Sequence, residues 1–260
     1  MKTIDVNGIS VRYKVEGAGP WVTLSHSLTC DHTMWDQLAV SLAPTFSVLR
    51  YDTRGHGGTT APEGAYSFAQ LTADLIGLLD ALKIERTHFV GLSMGGMIGQ
   101  HFALAQPARL NKLVIANSTS RIPPEAGPLW DERIAIARAQ GCAGVVEGTL
   151  ARWFTPGFRA AGADAVARIA TQIRNTPAAG YIGCASAIRA LDITAKIGTI
   201  AAPTLVIAGA DDPGTPPAMS EVIASTIPGA RLEIIPSASH LSCIEQPEIF
   251  NRLVANFLKG

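Results

Sequence analysis

The stretch Thr87-His88-Phe89-Val90-Gly91-Leu92-Ser93-Met94-Gly95-Gly96 decides how this chain is read. Its first four residues have the content of a short strand, and Met94 to Ala105, ended by Pro107, reads as a helix. Between them Gly91-Leu92-Ser93-Met94-Gly95 fits G-x-S-x-G, a pentapeptide that a glycine-rich chain also produces by chance. The strand-to-helix setting gives it meaning. Glycines on both sides relieve crowding in a strained turn that pushes the serine hydroxyl out, and the new helix aims its N-terminus at nearby negative charge. The bland alternative is an ordinary strand-to-helix turn with Ser93 as a side-chain N-cap.

Working outward, the same rhythm continues on both sides. Val11 to Val15 alternates like a half-buried strand, and Trp21 to Ser25 and Phe46 to Tyr51 are short extended runs around a helical stretch from His32 to Leu42. Apolar residues at Leu71, Leu75, Leu78, Leu79 and Leu82 predict a helix over Phe68 to Leu82. Leu113 to Ala116, Pro203 to Ala208 and Ala230 to Ile235 predict three more strands, and Pro247 to Leu258 a final helix. Strands alternating with helices predict an α/β fold: a mostly parallel sheet with helices on both faces, after an antiparallel start. Residues 121–191 break the rhythm. Four helices are expected there, Pro128 to Ala139, Cys142 to Trp153, Ala163 to Asn175 and Tyr181 to Ala190, as a helical cap inserted between core segments 1–120 and 192–260. A cap over the strand ends would close a pocket and exclude water.

Composition narrows the partners. With 21 basic and 21 acidic residues the formal net charge is zero, so the chain carries no electrostatic footprint for nucleic acid or an anionic membrane. Small molecules are the expected partners, and the sequence leaves the oligomeric state open. No signal-peptide pattern opens the chain and no stretch has the length of a membrane helix. The four cysteines, Cys30, Cys142, Cys184 and Cys243, are scattered and form no C-x-x-C pair. They read as reduced thiols of a cytoplasmic protein, with no metal site.

A serine hydroxyl needs a base within hydrogen-bond reach. Of six histidines, His240 lies in a loop after the last strand, where an open α/β sheet places its site. His26, His32, His56, His88 and His101 read as packing or surface residues. An acid must orient the imidazole, and Gly209-Ala210-Asp211-Asp212-Pro213 offers two after another strand. The order serine, acid, histidine along the chain suits this arrangement. Two backbone donors should receive the oxyanion: the N–H of Met94, and the N–H of Leu28 after the Trp21 to Ser25 strand. Cys30, close to Leu28, has no base suggested beside it. Asp52-Thr53-Arg54-Gly55-His56-Gly57 invites a mechanism but reads as a tight loop in which Arg54 ties neighbouring loops together.

Together these segments, with His26-Ser27 where a His-Gly is usual, resemble the α/β-hydrolase superfamily across essentially the whole chain. That family's G-x-x-D pattern favours Asp212 over Asp211, and Ser27 departs from its usual glycine. A narrower resemblance is to the 3-oxoadipate enol-lactonases. It is carried by Leu49 to Gly57, by Gly91 to Gly96, and in the cap by Ala151-Arg152-Trp153-Phe154-Thr155 and Gly180 to Arg189.

The resemblance implies cofactor-free hydrolysis of a small lactone with a free carboxylate, 3-oxoadipate enol-lactone, to 3-oxoadipate in aromatic-compound catabolism. Ser93 would be the nucleophile, His240 the base and Asp212 the acid behind it. Cap arginines Arg121, Arg133, Arg152 and Arg189 are candidates for the carboxylate, and Trp130 and Trp153 for an apolar wall. Other readings are a carboxylesterase or a cofactor-free haloperoxidase or perhydrolase of the same fold. A further one is a ligand-binding receptor with residual hydrolysis.

Overall fold

The computed structural model describes all 260 residues. It opens with a hairpin of β1 (Lys2–Val6) and β2 (Ile9–Glu16). The turn is Asn7-Gly8, both at positive φ, 49° and 76°, as a two-residue turn matched to strand twist requires. β3 (Trp21–Ser25), α1 (Asp36–Leu42), β4 (Ser47–Tyr51), α2 (Phe68–Ala81), β5 (Thr87–Leu92), α3 (Met94–Ala105) and β6 (Leu110–Ala116) follow.

The chain then leaves the sheet for α4 (Gly127–Gln140), α5 (Val146–Trp153), α6 (Pro156–Ala161), α7 (Ala163–Asn175), α8 (Ala178–Arg189) and the short α9 (Thr194–Ile197). It returns as β7 (Thr204–Gly209), α10 (Pro217–Thr226), β8 (Arg231–Ile235), α11 (Ser242–Glu245) and α12 (Pro247–Lys259).

The eight strands form one sheet in the order β1-β2-β4-β3-β5-β6-β7-β8. β1 with β2 and β2 with β4 pair antiparallel; every other pair is parallel. β5 and β7 are buried at every position. Strands covered on both faces read as near-continuous apolar runs, here opened by the buried Thr87 and His88 in β5 and Thr204 in β7, and for that reason they show no alternation in sequence. The β8 edge is different: only Ile235 in it is buried.

The α/β architecture and mostly parallel sheet expected from the sequence are what the chain forms. Three details differ. β1, α9, α10 and α11 were not foreseen, and neither was α6, although Thr155 caps it and Pro156 opens it. The expected Cys142–Trp153 helix begins as a 3-10 turn over Cys142–Val145, which tucks Cys142 and Val145 into the core before α5 starts. β6 starts at Leu110, three residues before its apolar run, because Leu110 already pairs with Thr87 of β5; Lys112 meanwhile donates to the Phe257 and Leu258 carbonyls. No helix is long and apolar enough to cross a membrane.

Candidate active site

Ser93 sits between β5 and α3 with φ 55° and ψ −116°. A non-glycine residue there stores about 1–3 kcal/mol of strain, which persists only where its surroundings enforce it. The enforcement is visible. The Ser93 N–H donates to the Ala116 carbonyl at 2.9 Å, and its own carbonyl accepts from Ser118 Oγ at 2.8 Å and the Met97 N–H at 3.0 Å. A Cβ on Gly91 would meet the Gly95 carbonyl oxygen at 2.2 Å, and one on Gly95 would meet the Ser25 oxygen at 2.0 Å. The flanking glycines are therefore demanded by close backbone approach. The Ser93 side chain makes no capping hydrogen bond, so the ordinary N-cap alternative does not describe this turn.

His240 and Asp212 come from different strand ends and meet in the interior. The His240 Nδ1–H donates to Asp212 Oδ2 at 2.8 Å, which leaves Nε2 as the ring's acceptor. Asp211 is exposed and takes no part. Asp212 is held by more than the imidazole: Asn117 Nδ2 donates at 3.0 Å and Thr215 Oγ1 at 2.7 Å to Oδ2, and the Gly214 and Thr215 N–H groups donate at 2.8 and 3.0 Å to Oδ1. Burial alone would push the Asp212 carboxyl up; attraction to and a hydrogen bond from His240, with the two Thr215 donors, outweigh it and hold it below the usual carboxylate range. Asn117 is itself fixed, at φ 43°, by Ser242 Oγ donating to its Oδ1 at 2.6 Å.

The backbone N–H groups of Leu28 and Met94 donate to no acceptor within the protein. Ser27 keeps an ordinary φ, and its carbonyl accepts from His26 Nδ1 at 2.7 Å and from the Cys30 N–H at 3.1 Å, so the departure from glycine is accommodated. Cys30 is buried, and burial drives its thiol well above the usual range, away from the nucleophilic thiolate. It borders a separate polar cleft of about 550 Å³ that includes none of Ser93, Asp212 and His240.

Ser93, His240 and Leu28 share a cavity of about 310 Å³ between the strand ends and the helices inserted after β6. Trp130, Arg133, Arg152 and Trp153 line it. Trp153 stacks over His240 with ring centroids 5.7 Å apart, and the Arg133 guanidinium lies 5.0 Å from the Trp130 ring. Arg133 and Arg152 face no carboxylate. Burial, with Arg133 beside it, pulls Arg152 down to about 10, so it remains a cation at neutral pH. Arg189 needs correction as a pocket candidate. It lies outside the cavity and forms an ion pair with Asp131, its Nη2 donating to Oδ2 at 2.8 Å. Arg121 likewise faces Asp192 at 3.6 Å on the surface.

A family model for the alpha/beta hydrolase fold matches residues 20–247. The chain belongs to the α/β-hydrolase family. Among curated relatives of this hydrolase, 3-oxoadipate enol-lactonase 2 of Acinetobacter baylyi is 35% identical, covering 99% of this chain and 96% of that one. A putative carbamate hydrolase RutD of Variovorax paradoxus is 32% identical, covering 95% of this chain and 96% of that one. The crystal structure of the enol-lactonase from Burkholderia xenovorans LB400 superposes with a TM-score of 0.96 at 38% identity, with both chains fully covered.

Sequence reasoning missed several residues of the hydrolase's site. Thr215 and Asn117 support Asp212, and Tyr181, Met97 and Met219 complete the cavity wall. Thr215 carried a signal, a hydroxyl three residues after an aspartate, the spacing of a side-chain-supported turn. Asn117 carried none beyond its place at the end of β6.

Proposed function

We propose that this hydrolase opens a small enol-lactone bearing a free carboxylate, with 3-oxoadipate enol-lactone as the substrate, through an acyl-enzyme on Ser93. One observation carries the reading: two arginines without acidic partners, Arg133 and Arg152, stand in the wall of a small cavity that contains Ser93 and His240. Desolvated cations without counter-charges are costly, and an anionic ligand offsets the cost. The similarity to enol-lactonases over nearly the full chain supports the same substrate.

In this mechanism His240 Nε2 takes the Ser93 proton as Oγ attacks the ring carbonyl, while Asp212 holds the imidazole by its Nδ1–H. The Leu28 and Met94 N–H groups receive the oxyanion. Collapse breaks the ring C–O bond. The departing enolate oxygen takes the proton from His240, and the enol becomes the ketone. A water then gives its proton to His240 and attacks the acyl carbon. The second collapse returns that proton to Ser93 Oγ and frees 3-oxoadipate. No metal or redox group is needed in any step. The reading places the reaction in the cytoplasm, in breakdown of aromatic compounds, where the four free cysteines suit a reducing compartment.

The RutD relative supports a second reading, hydrolysis of a carbamate by the same residues. Loss of the lactone's ultraviolet absorbance, with S93A as control, tests the first. Rapid turnover abolished by S93A is expected. Turnover no faster than spontaneous opening, beside good activity on p-nitrophenyl acetate, would pass the assignment to an esterase, and selective carbamate turnover would pass it to the second reading.

A further inference from the structure

The residues on both sides of His240 are held by the end of α5. The Ser239 hydroxyl donates to the Arg152 carbonyl at 2.8 Å, and the Leu241 N–H donates to the Trp153 carbonyl at 3.2 Å. Beside this crossing lies a carboxylate that the proposed reaction does not use. Glu245, 6% exposed at the end of α11, accepts at Oε1 from the Thr155 N–H at 2.6 Å and the Thr155 hydroxyl at 3.0 Å. Its Oε2 accepts from the Ser239 N–H. One buried carboxylate thus bridges the segment 152–155 and the loop that carries the imidazole. Burying a carboxylate against neutral donors costs stability that an apolar side chain would not, so its return lies in the geometry it fixes.

We propose that Glu245 is a positioning residue that locks segment 152–155 to the His240 loop, so that the arginine receiving the substrate's anion and the base serving Ser93 are set by one bracket. The proposal rests on the anionic-substrate reading above. Through the bracket, an anion seated on Arg152 steadies His240 as well, and part of the binding energy appears in kcat rather than in KM. A residue that merely supports the fold would lower activity without making the effect of Arg152 depend on it.

A double-mutant cycle on R152A and E245Q tests this, with kcat and KM measured on mono-p-nitrophenyl succinate, an anionic ester, and p-nitrophenyl acetate as the neutral reference. Glutamine keeps the shape but replaces one acceptor oxygen with a donor. On the succinate, R152A is expected to raise KM and lower kcat, and E245Q to lower kcat about tenfold. In the E245Q background R152A should lower kcat by no more than about twofold, a coupling typical of directly linked residues. Independent falls in kcat that multiply would overturn the bracket. Where E245Q fails to fold, T155V, which removes one hydroxyl, carries the same cycle with a loss of about threefold. A succinate ester preferred over the acetate no more in the wild type than in R152A would also overturn it. Failure on the enol-lactone with the succinate cycle intact removes the lactone reading alone.

Discussion

The molecule contains two buried histidine–aspartate pairs of nearly equal geometry. His240 Nδ1 lies 2.8 Å from Asp212, and His32 Nδ1 lies 2.7 Å from Asp52. Both aspartate side chains are fully buried, and donors hold both carboxyls below the usual range against the burial that would raise them. What differs is the surroundings. Asp52 also accepts the His32 N–H and the Gly58 N–H, and so stitches the turn after β3 to the loop after β4. His240 instead shares a cavity with the strained Ser93. A histidine–aspartate pair is equally good as a loop fastener and as a base. The group facing the far ring nitrogen decides between them.

The sharpest test of that contrast is on the serine. S93A should reduce hydrolysis by about 10⁶-fold, to the level left by binding and the oxyanion donors, in single-turnover assays. Next, D212N should cost about 10⁴-fold in kcat, because an amide there favours the wrong imidazole tautomer, together with a stability loss of about 1–3 kcal/mol from the donors it leaves unpaired. D52N should show only the second effect: a stability loss of about 1–3 kcal/mol in urea titration, with kcat of the folded enzyme within about threefold of wild type. A D52N variant as inactive as D212N would erase the distinction.

A smaller effect separates the cap's arginines. R152A should raise KM for an anionic ester about ten- to hundredfold, the value of a charge-assisted contact, whereas R189A, which removes only an exposed pair with Asp131, should change it less than about twofold.

A last test concerns pH. Burial holds His56 at about 3 and His88 at about 4, so the folded chain keeps them neutral where the unfolded chain, near the ordinary 6.5, takes up protons. Their stabilising contribution is complete above pH 6.5 and is lost as pH falls toward 4 and then 3. Thermal unfolding should show a plateau above neutrality and a decline below it, and H56N should make that decline shallower. An unchanged slope would remove His56 from this account.

The readable parts of the sequence were those where backbone geometry restricts residue type. Gly91 and Gly95 have no room for a Cβ, so the elbow is spelled out in the chain. Buried parallel strands are mostly apolar, and β3, β5 and β7 stood out for that reason despite Thr23, Ser25, Thr87 and His88. β1 buries only Val6 and α10 only Ser220 and Ile223, so neither left a periodic trace; Asn7-Gly8 was the one local sign of the hairpin. Choosing Asp212 over Asp211 needed the resemblance, because adjacent aspartates differ only in where the folded turn points them. Arg152 and Arg189 are equivalent in sequence, and the fold separates them: Arg152 lines the cavity, whereas Arg189 lies outside it, paired with Asp131 of the neighbouring α4.

β6 pairs directly with β7, so the helices from α4 to α8 are a detour from an uninterrupted ladder. Such an excursion invites exchange: a different set of helices can be spliced in without breaking one hydrogen bond of the sheet. The exchange has a condition. A transplanted lid must supply carbonyls for Ser239 and Leu241 and a donor pair for Glu245, or the loop that carries His240 would lose its seat.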